Sequence, residues 1–193
     1  MADFVVLASG SGTNFDAIAG YEPLSAHRLL ALVTDNPDAY ALRRAERRGI
    51  ASIVVNYGAG RRDAETRLGR VLDSLSPDLI VLAGFMKVLP GTLVDRFAGR
   101  IVNIHPSMLP DFPGLHAIER SYADPDARMG ISIHVVDHGV DTGALVEQHE
   151  AARDGAESLA EMEERIHALE HEHYPRVVAA LLARTGRTPA EAR

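Results

Sequence analysis

Cysteine is absent from the 193 residues. Its absence excludes disulfides, thiolate metal sites and cysteine nucleophiles, and leaves the compartment open. No apolar run approaches the roughly 18 residues of a membrane helix. Met1-Ala2-Asp3 carries no basic segment, and Phe4–Ala8 is too short an apolar run for a secretion signal. The expectation is a soluble cytoplasmic protein. Basic excess is missing too: 20 Lys and Arg face 27 Asp and Glu, a net charge of −7. That balance argues against a broad nucleic-acid surface, which needs clustered cations, though not against a small local anion site. Repeats, low-complexity stretches and an internal linker are also lacking. What is present is 46% hydrophobic residues, in a length that suits one compact domain with its own core. A single domain over 1–183 is expected, with a polar, frayed tail over 184–193.

Apolar runs bounded by turn residues read as buried strands at Phe4–Ala8, Leu29–Thr34, Ile50–Val55, Leu79–Ala83 and Ile101–Ile104. Helical patterns stand between them at Phe15–Ala19, Ala39–Arg48 (stopped by Gly49) and Arg61–Leu75. Strands and helices alternating at this spacing indicate βαβ units. The later chain changes character. Ile131, Ile133 and Val135 alternate, and Ala144–Gln148 follows the Gly139–Gly143 turn as an antiparallel neighbour. Glu157–Leu182 reads as one long amphipathic helix, with Tyr174-Pro175 an interruption or kink. The fold class is α/β: a Rossmann-like, mostly parallel sheet with helices on both faces and antiparallel strands near the C-terminal part.

Three places carry candidate chemistry. Ser9-Gly10-Ser11-Gly12-Thr13-Asn14 follows a strand and opens a helix. Glycines admit a ligand close to the backbone, and a helix N-terminus offers N–H groups to an anion. The same residues also suit a tight βα turn with an N-cap. Lys and the spacing of a Walker loop are missing, and Phe15 breaks the dinucleotide G-x-G-x-x-G pattern. The second place is the end of the fifth strand, in Asn103-Ile104-His105-Pro106-Ser107. Residues two apart in a strand share a face, and ligands collect at the C-terminal ends of parallel strands. An amide donor beside an imidazole suits a tetrahedral oxyanion, and His can also pass a proton. A lone His at a strand end also serves simply to bond backbone. The third is Asp141, in the turn Val140-Asp141-Thr142-Gly143. It is turn chemistry or, placed beside His105, a carboxylate that favours the imidazolium. His167 and His171 share a helix face, but they lack the H-E-x-x-H pattern and an evident third ligand, so no metal is expected.

Asn103-Ile104-His105-Pro106-Ser107 with Leu109-Pro110 and Pro113-Gly114-Leu115-His116 resembles the signature of the folate-dependent formyltransferases. Ser9–Asn14 and Leu82-Ala83-Gly84-Phe85-Met86 narrow the resemblance to the branch of de novo purine synthesis. The likeness runs from Phe4 to about Val178. It implies 10-formyltetrahydrofolate as co-substrate and the amine of 5-phosphoribosylglycinamide as acceptor, with attack through a tetrahedral intermediate. It implies that Asn103 and His105 stabilise the oxyanion, while Asp141 holds His105 protonated and assists proton transfer through water. Gly12, Thr13 and Asn14 would hold the ribosyl phosphate, Glu170 the ribose, and Arg62 (or its neighbour Arg61) the substrate side. Phe85, Met86, Lys87, Val88 and Leu89 would line the folate pocket, with Val136, Asp137 and Val140 in the loop over the pterin. Lys87 stands where the pattern has Arg, and Ala144 where it has Pro; Lys lacks the planar fork of Arg. A homodimer is compatible with this reading; nucleic acid and membrane are not expected partners.

Four rivals are weighed. A formyltetrahydrofolate deformylase uses the same donor but brings an N-terminal regulatory domain, whereas Phe4 already opens the first strand. Methionyl-tRNA formyltransferase brings a C-terminal tRNA-binding domain, and this chain has no basic extension. A non-catalytic folate- or phosphate-binding module has no need of Asn103, His105 and Asp141 together. A dehydrogenase would use Asp35 as its ribose anchor, but the loop spacing fails.

Overall fold

A computed structural model describes residues 1–153 and 155–185. These residues form two compact units, Met1–Lys87 with the chain from Pro175 onward, and Val88–Tyr174.

The first unit is a run of βα repeats. It contains β1 (Asp3–Leu7), α1 (Thr13–Gly20), β2 (Arg28–Thr34), α2 (Tyr40–Arg47), β3 (Ser52–Val54), α3 (Arg61–Leu75) and β4 (Leu79–Leu82). The strand order is β3-β2-β1-β4, and each neighbouring pair is parallel. Val5, Val6 and Leu7 are fully buried, as are Ile80 and Val81. Strands covered on both faces need such unbroken apolar runs. Leu68 and Leu72 give α3 one buried stripe at helical spacing, and Ser76 ends it in the left-handed conformation.

The second unit holds α4 (Gly91–Arg96), β5 (Ile101–His105), α5 (Ala117–Ala123), β6 (Met129–Val135), β7 (Leu145–Ala151) and the first part of α6 (Leu159–Thr185). Both neighbouring pairs in β5-β6-β7 are antiparallel. The α/β class and the change from parallel to antiparallel strands are therefore as expected. The short helices α4 and α5 escaped the periodicity reading because neither spans two full turns.

The long C-terminal helix differs from expectation in detail. It starts at Leu159 because Ser158 and Glu161 form a reciprocal capping box: Ser158 N donates to Glu161 Oε2 (2.7 Å) and Glu161 N to Ser158 Oγ (3.3 Å). Pro175 lies inside it without ending it. Tyr174 beside it is fully buried, and its hydroxyl donates to Val102 O at 3.1 Å. Arg184 and Thr185, assigned to the tail from the sequence, are the last residues of α6. Thr185 Oγ1 turns back to Leu182 O (2.9 Å), satisfying a terminal carbonyl. The remainder of the expected tail lies outside the described residues. Among the described residues, no helix is long and apolar enough to cross a membrane.

Candidate active site

Antiparallel pairing builds the centre of the site. Asn103 lies directly opposite His134, and His105 opposite Ser132. Directly opposed residues share a face, so β5 and β6 present Asn103, His105, Ser132 and His134 together. Asp141 reaches this group from the turn between β6 and β7, with φ of 56°. Asp tolerates that left-handed conformation better than most residues. Gly143 makes the turn tight enough: a Cβ there would sit 1.7 Å from Val135 O.

The Asp141 carboxylate is the hub. Oδ2 accepts from Gly114 N at 2.8 Å and lies 3.2 Å from His105 Nδ1. Oδ1 lies 3.4 Å from Asn103 Nδ2 and 3.5 Å from His134 Nε2. Burial opposes ionisation of Asp141. The His134 hydrogen bond, the Gly114 N–H and the charges of His105 and His134 outweigh it, and hold the carboxyl below its ordinary value. Asp141 is thus a carboxylate at neutral pH. His105 is buried, and its Nε2 lies 2.9 Å from Phe112 O. Both ring nitrogens therefore face acceptors. Only the imidazolium, with an N–H on each nitrogen, donates to both at once.

His134 is the residue that sequence reasoning missed. It is buried, with Nε2 3.2 Å from Asn103 Nδ2 and Nδ1 3.0 Å from Val135 O. When the ring is neutral, Nε2 accepts from Asn103 and fixes the amide; when it is protonated, the same nitrogen donates to Asp141. Its signal was in the alternation. Ile131, Ile133 and Val135 occupy one face of β6, so Ser132 and His134 must share the other. Phe112 O and Gly114 N are backbone groups, which residue types cannot announce.

Pro106, Pro110 and Pro113 restrict the backbone of the loop after β5. A polar network holds it as well. Ser132 Oγ donates to Ser107 O (2.6 Å) and accepts from Leu109 N (2.9 Å) and from Gln148 Nε2 (2.7 Å). Gln148 Nε2 also donates to Leu109 O (2.9 Å), and Ser107 Oγ to Asp111 O (2.6 Å). Asp137 is exposed; it accepts from Thr142 Oγ1 (2.7 Å) and Gly139 N (3.0 Å), which ties down the loop carrying Val136 and Val140.

In the first unit, Gly12 is the residue before α1, at φ 71°. Gly12 is itself the N-cap residue and supplies no side-chain hydrogen bond to α1. Ser9 bridges to the Gly84–Lys87 segment: its N–H donates to Gly84 O (3.0 Å), and its Oγ accepts from Met86 N (2.8 Å). Met86 is exposed. Lys87 turns to a neighbour: its Nζ lies 3.5 Å from buried Asp35 Oδ2 and 5.5 Å from the Tyr57 ring centroid. Burial, Glu65 and Asp35 push the Tyr57 hydroxyl up to about 12. Arg61 Nε donates to Glu65 Oε1 at 2.6 Å, while Arg62 is exposed. In the second unit, Val88 is exposed and Leu89 buried. Glu170 is buried and lies 2.9 Å from His167 Nδ1.

The structure thus brings Asn103, His105 and Asp141 together. A profile of the formyl transferase family matches residues 2–178. The phosphoribosylglycinamide formyltransferase of Bacillus subtilis (strain 168) is 38% identical over 192 residues, covering 97% of this chain and 98% of that protein. That of Escherichia coli (strain K12) is 33% identical over 181 residues, covering 92% and 85%. The crystal structure of phosphoribosylglycinamide formyltransferase from Streptococcus pneumoniae TIGR4 is similar with a TM-score of 0.87 and 39% identity, over 94% of this chain and 99% of that one. The chain belongs to the formyl transferase family.

Proposed function

We propose that this chain transfers the formyl group of 10-formyltetrahydrofolate to the amine of 5-phosphoribosylglycinamide, in the cytoplasm, as a step of purine biosynthesis. The observation that carries the reading is the Asp141 carboxylate, 3.2 Å from His105 Nδ1 and 3.4 Å from Asn103 Nδ2. The full-length relatives named for this activity support the choice of substrates.

The amine attacks the formyl carbon; a C–N bond forms, and the carbonyl oxygen becomes an oxyanion. Asn103 Nδ2 and the His105 imidazolium donate to that oxygen. Ionised Asp141 orients His105 and draws the amine proton through water. Collapse breaks the bond to the folate nitrogen, which takes up the proton. Gly12, Thr13 and Asn14 bind the phosphate with backbone and side-chain donors. Glu170 accepts from the ribose, and Arg62 reaches the substrate side. Phe85, Met86, Val88, Leu89, Val136, Asp137 and Val140 contact the folate, as does the backbone of Lys87. The functional domain extends from the N-terminal strand through the end of α6 at Thr185.

The test is an absorbance assay with 10-formyl-5,8-dideazafolate, with and without phosphoribosylglycinamide. Acceptor-dependent formyl transfer is expected. Acceptor-independent loss of formyl would assign a hydrolase instead, and no turnover from folded protein would sink the assignment.

A further inference from the structure

One cluster of metal-ligating side chains lies outside the residues used so far. Glu147 and His149 are two apart on β7 and so project to one face. Their partners across the ladder are Ile133 and Ile131, both fully buried. Opposed residues share a face, so the covered face of β7 carries a carboxylate and an imidazole where the alternation calls for apolar side chains. His173 of α6 meets them there. Its ring lies flat on that of His149, with centroids 3.4 Å apart and planes within 9°.

Glu147, His149 and His173 each offer one ligand atom, and these atoms all lie within 4.8 Å of one another. A four-coordinate ion with bonds near 2.1 Å holds its donors about 3.4 Å apart. The cluster is close to that span. His149 Nε2 and Glu147 Oε1, now 2.5 Å apart, must open by roughly 1 Å, and the stacked His149 and His173 rings, whose in-plane lone pairs run parallel, must turn out of the stack to converge on one ion; both changes are side-chain rotations. All three residues are partly accessible, so an ion has a way in. Two imidazoles and one carboxylate are the donor set of zinc, nickel and copper sites, and they leave a position for water. Glu172 Oε1 lies 3.9 Å from His173 Nε2, within reach as a supporting carboxylate.

We propose that Glu147, His149 and His173 form a binding site for a divalent transition-metal ion, zinc foremost, which clamps β7 to α6. The site shares no residue with Asn103, His105 and Asp141, so its role is structural or regulatory and independent of the formyl-transfer reading. His173 stands three residues after Glu170, so the clamp would fix that turn of α6.

The test is calorimetric titration of the chelator-treated full chain with zinc chloride at pH 7.5. One equivalent is expected to bind at micromolar or tighter Kd. H149A and H173A should weaken it at least 30-fold and E147Q about 10-fold, while H116A, remote from the trio in sequence and exposed, binds as the wild type does. Circular dichroism checks that each variant is folded. Histidine ring nitrogen NMR of the wild-type protein gives a readout free of substitution: zinc should move the His149 and His173 signals and leave His167 and His171 in place. No saturable zinc binding, wild-type affinity in both H149A and H173A, or shifts confined to other histidines would each overturn the proposal.

Discussion

In the Ser9–Asn14 loop the backbone carries the shape, whereas around Asp141 the side chains do. Gly12 takes φ 71°, and a Cβ on it would stand 2.6 Å from Ala41 Cβ. The α1 terminus it opens has no side-chain cap. The Asp141 carboxylate, by contrast, touches two histidines, an amide and a backbone N–H within 3.5 Å. A ground-state phosphate is held well by fixed N–H groups, which need only the right curvature. Charge that develops during reaction needs donors and a base of defined protonation state. The two regions therefore fail differently when altered.

The largest effect is expected at the side-chain centre. D141N keeps the shape but removes the charge that orients His105, and should lower kcat about 10³-fold with KM changed less than about threefold. H105A should do the same. A loss confined to KM would erase the contrast between the two regions, because it would make the cluster a binding device.

Next comes G12A. It forces an L side chain into the left-handed region and against Ala41, and should cost about 1–3 kcal/mol of stability in urea unfolding. KM for the phosphorylated acceptor should rise about tenfold or more while kcat falls little. Adding A41G tests the side-chain clash alone, since it removes the overlap with Ala41 Cβ but leaves both the 2.8 Å approach to Ala41 Cα and the backbone strain. If A41G restores full stability, the φ requirement is not what selects glycine there.

This contrast also explains what was legible beforehand. Asn103 and His105 are announced by residue type and by the two-residue spacing of β5, whereas Asp141 reads equally as turn chemistry and is singled out by the family resemblance. His134 sits at an alternation position equally open to view, but a polar residue on a strand has many ordinary uses and only the register with Asn103 reveals this one. The Phe112 carbonyl and Gly114 N–H are anonymous in sequence. The parallel strands were readable because burial on both faces demands unbroken apolar runs. Helices α4 and α5 are held by tertiary context and are too short for periodicity to register. Lys87 is marked as a folate contact by the family resemblance, yet its ammonium meets Asp35, a neighbour 52 positions away in sequence that no local pattern connects to it.

A smaller effect is expected at that pair. With the ammonium turned to Asp35, K87M should change KM for the folate donor by less than about threefold, the range of a partly exposed ion pair. A tenfold rise would show that the Lys87 side chain does meet the folate, and would make the donor site depend on side chains as the Asp141 centre does.

The smallest effect separates the regions by pH. The folded-state pKa of Asp141 lies below its ordinary value of 3.8. A carboxyl depressed in this way contributes stability that is fully present above the unfolded value and is lost as pH falls through the folded one. Urea midpoints of the wild-type protein should accordingly fall between about pH 5 and pH 3, and D141N should flatten that fall. Asn cannot titrate, so whatever slope remains in D141N belongs to other carboxylates, Asp16 with its Arg44 and Arg48 partners among them. Because Asp16 lies on α1, the D16N variant reports the acid response beside the Ser9–Asn14 loop. Equal slopes in wild type and D141N would mean that the partners of Asp141 favour its charged form no more than burial opposes it, and the hub would then organise the site by shape alone.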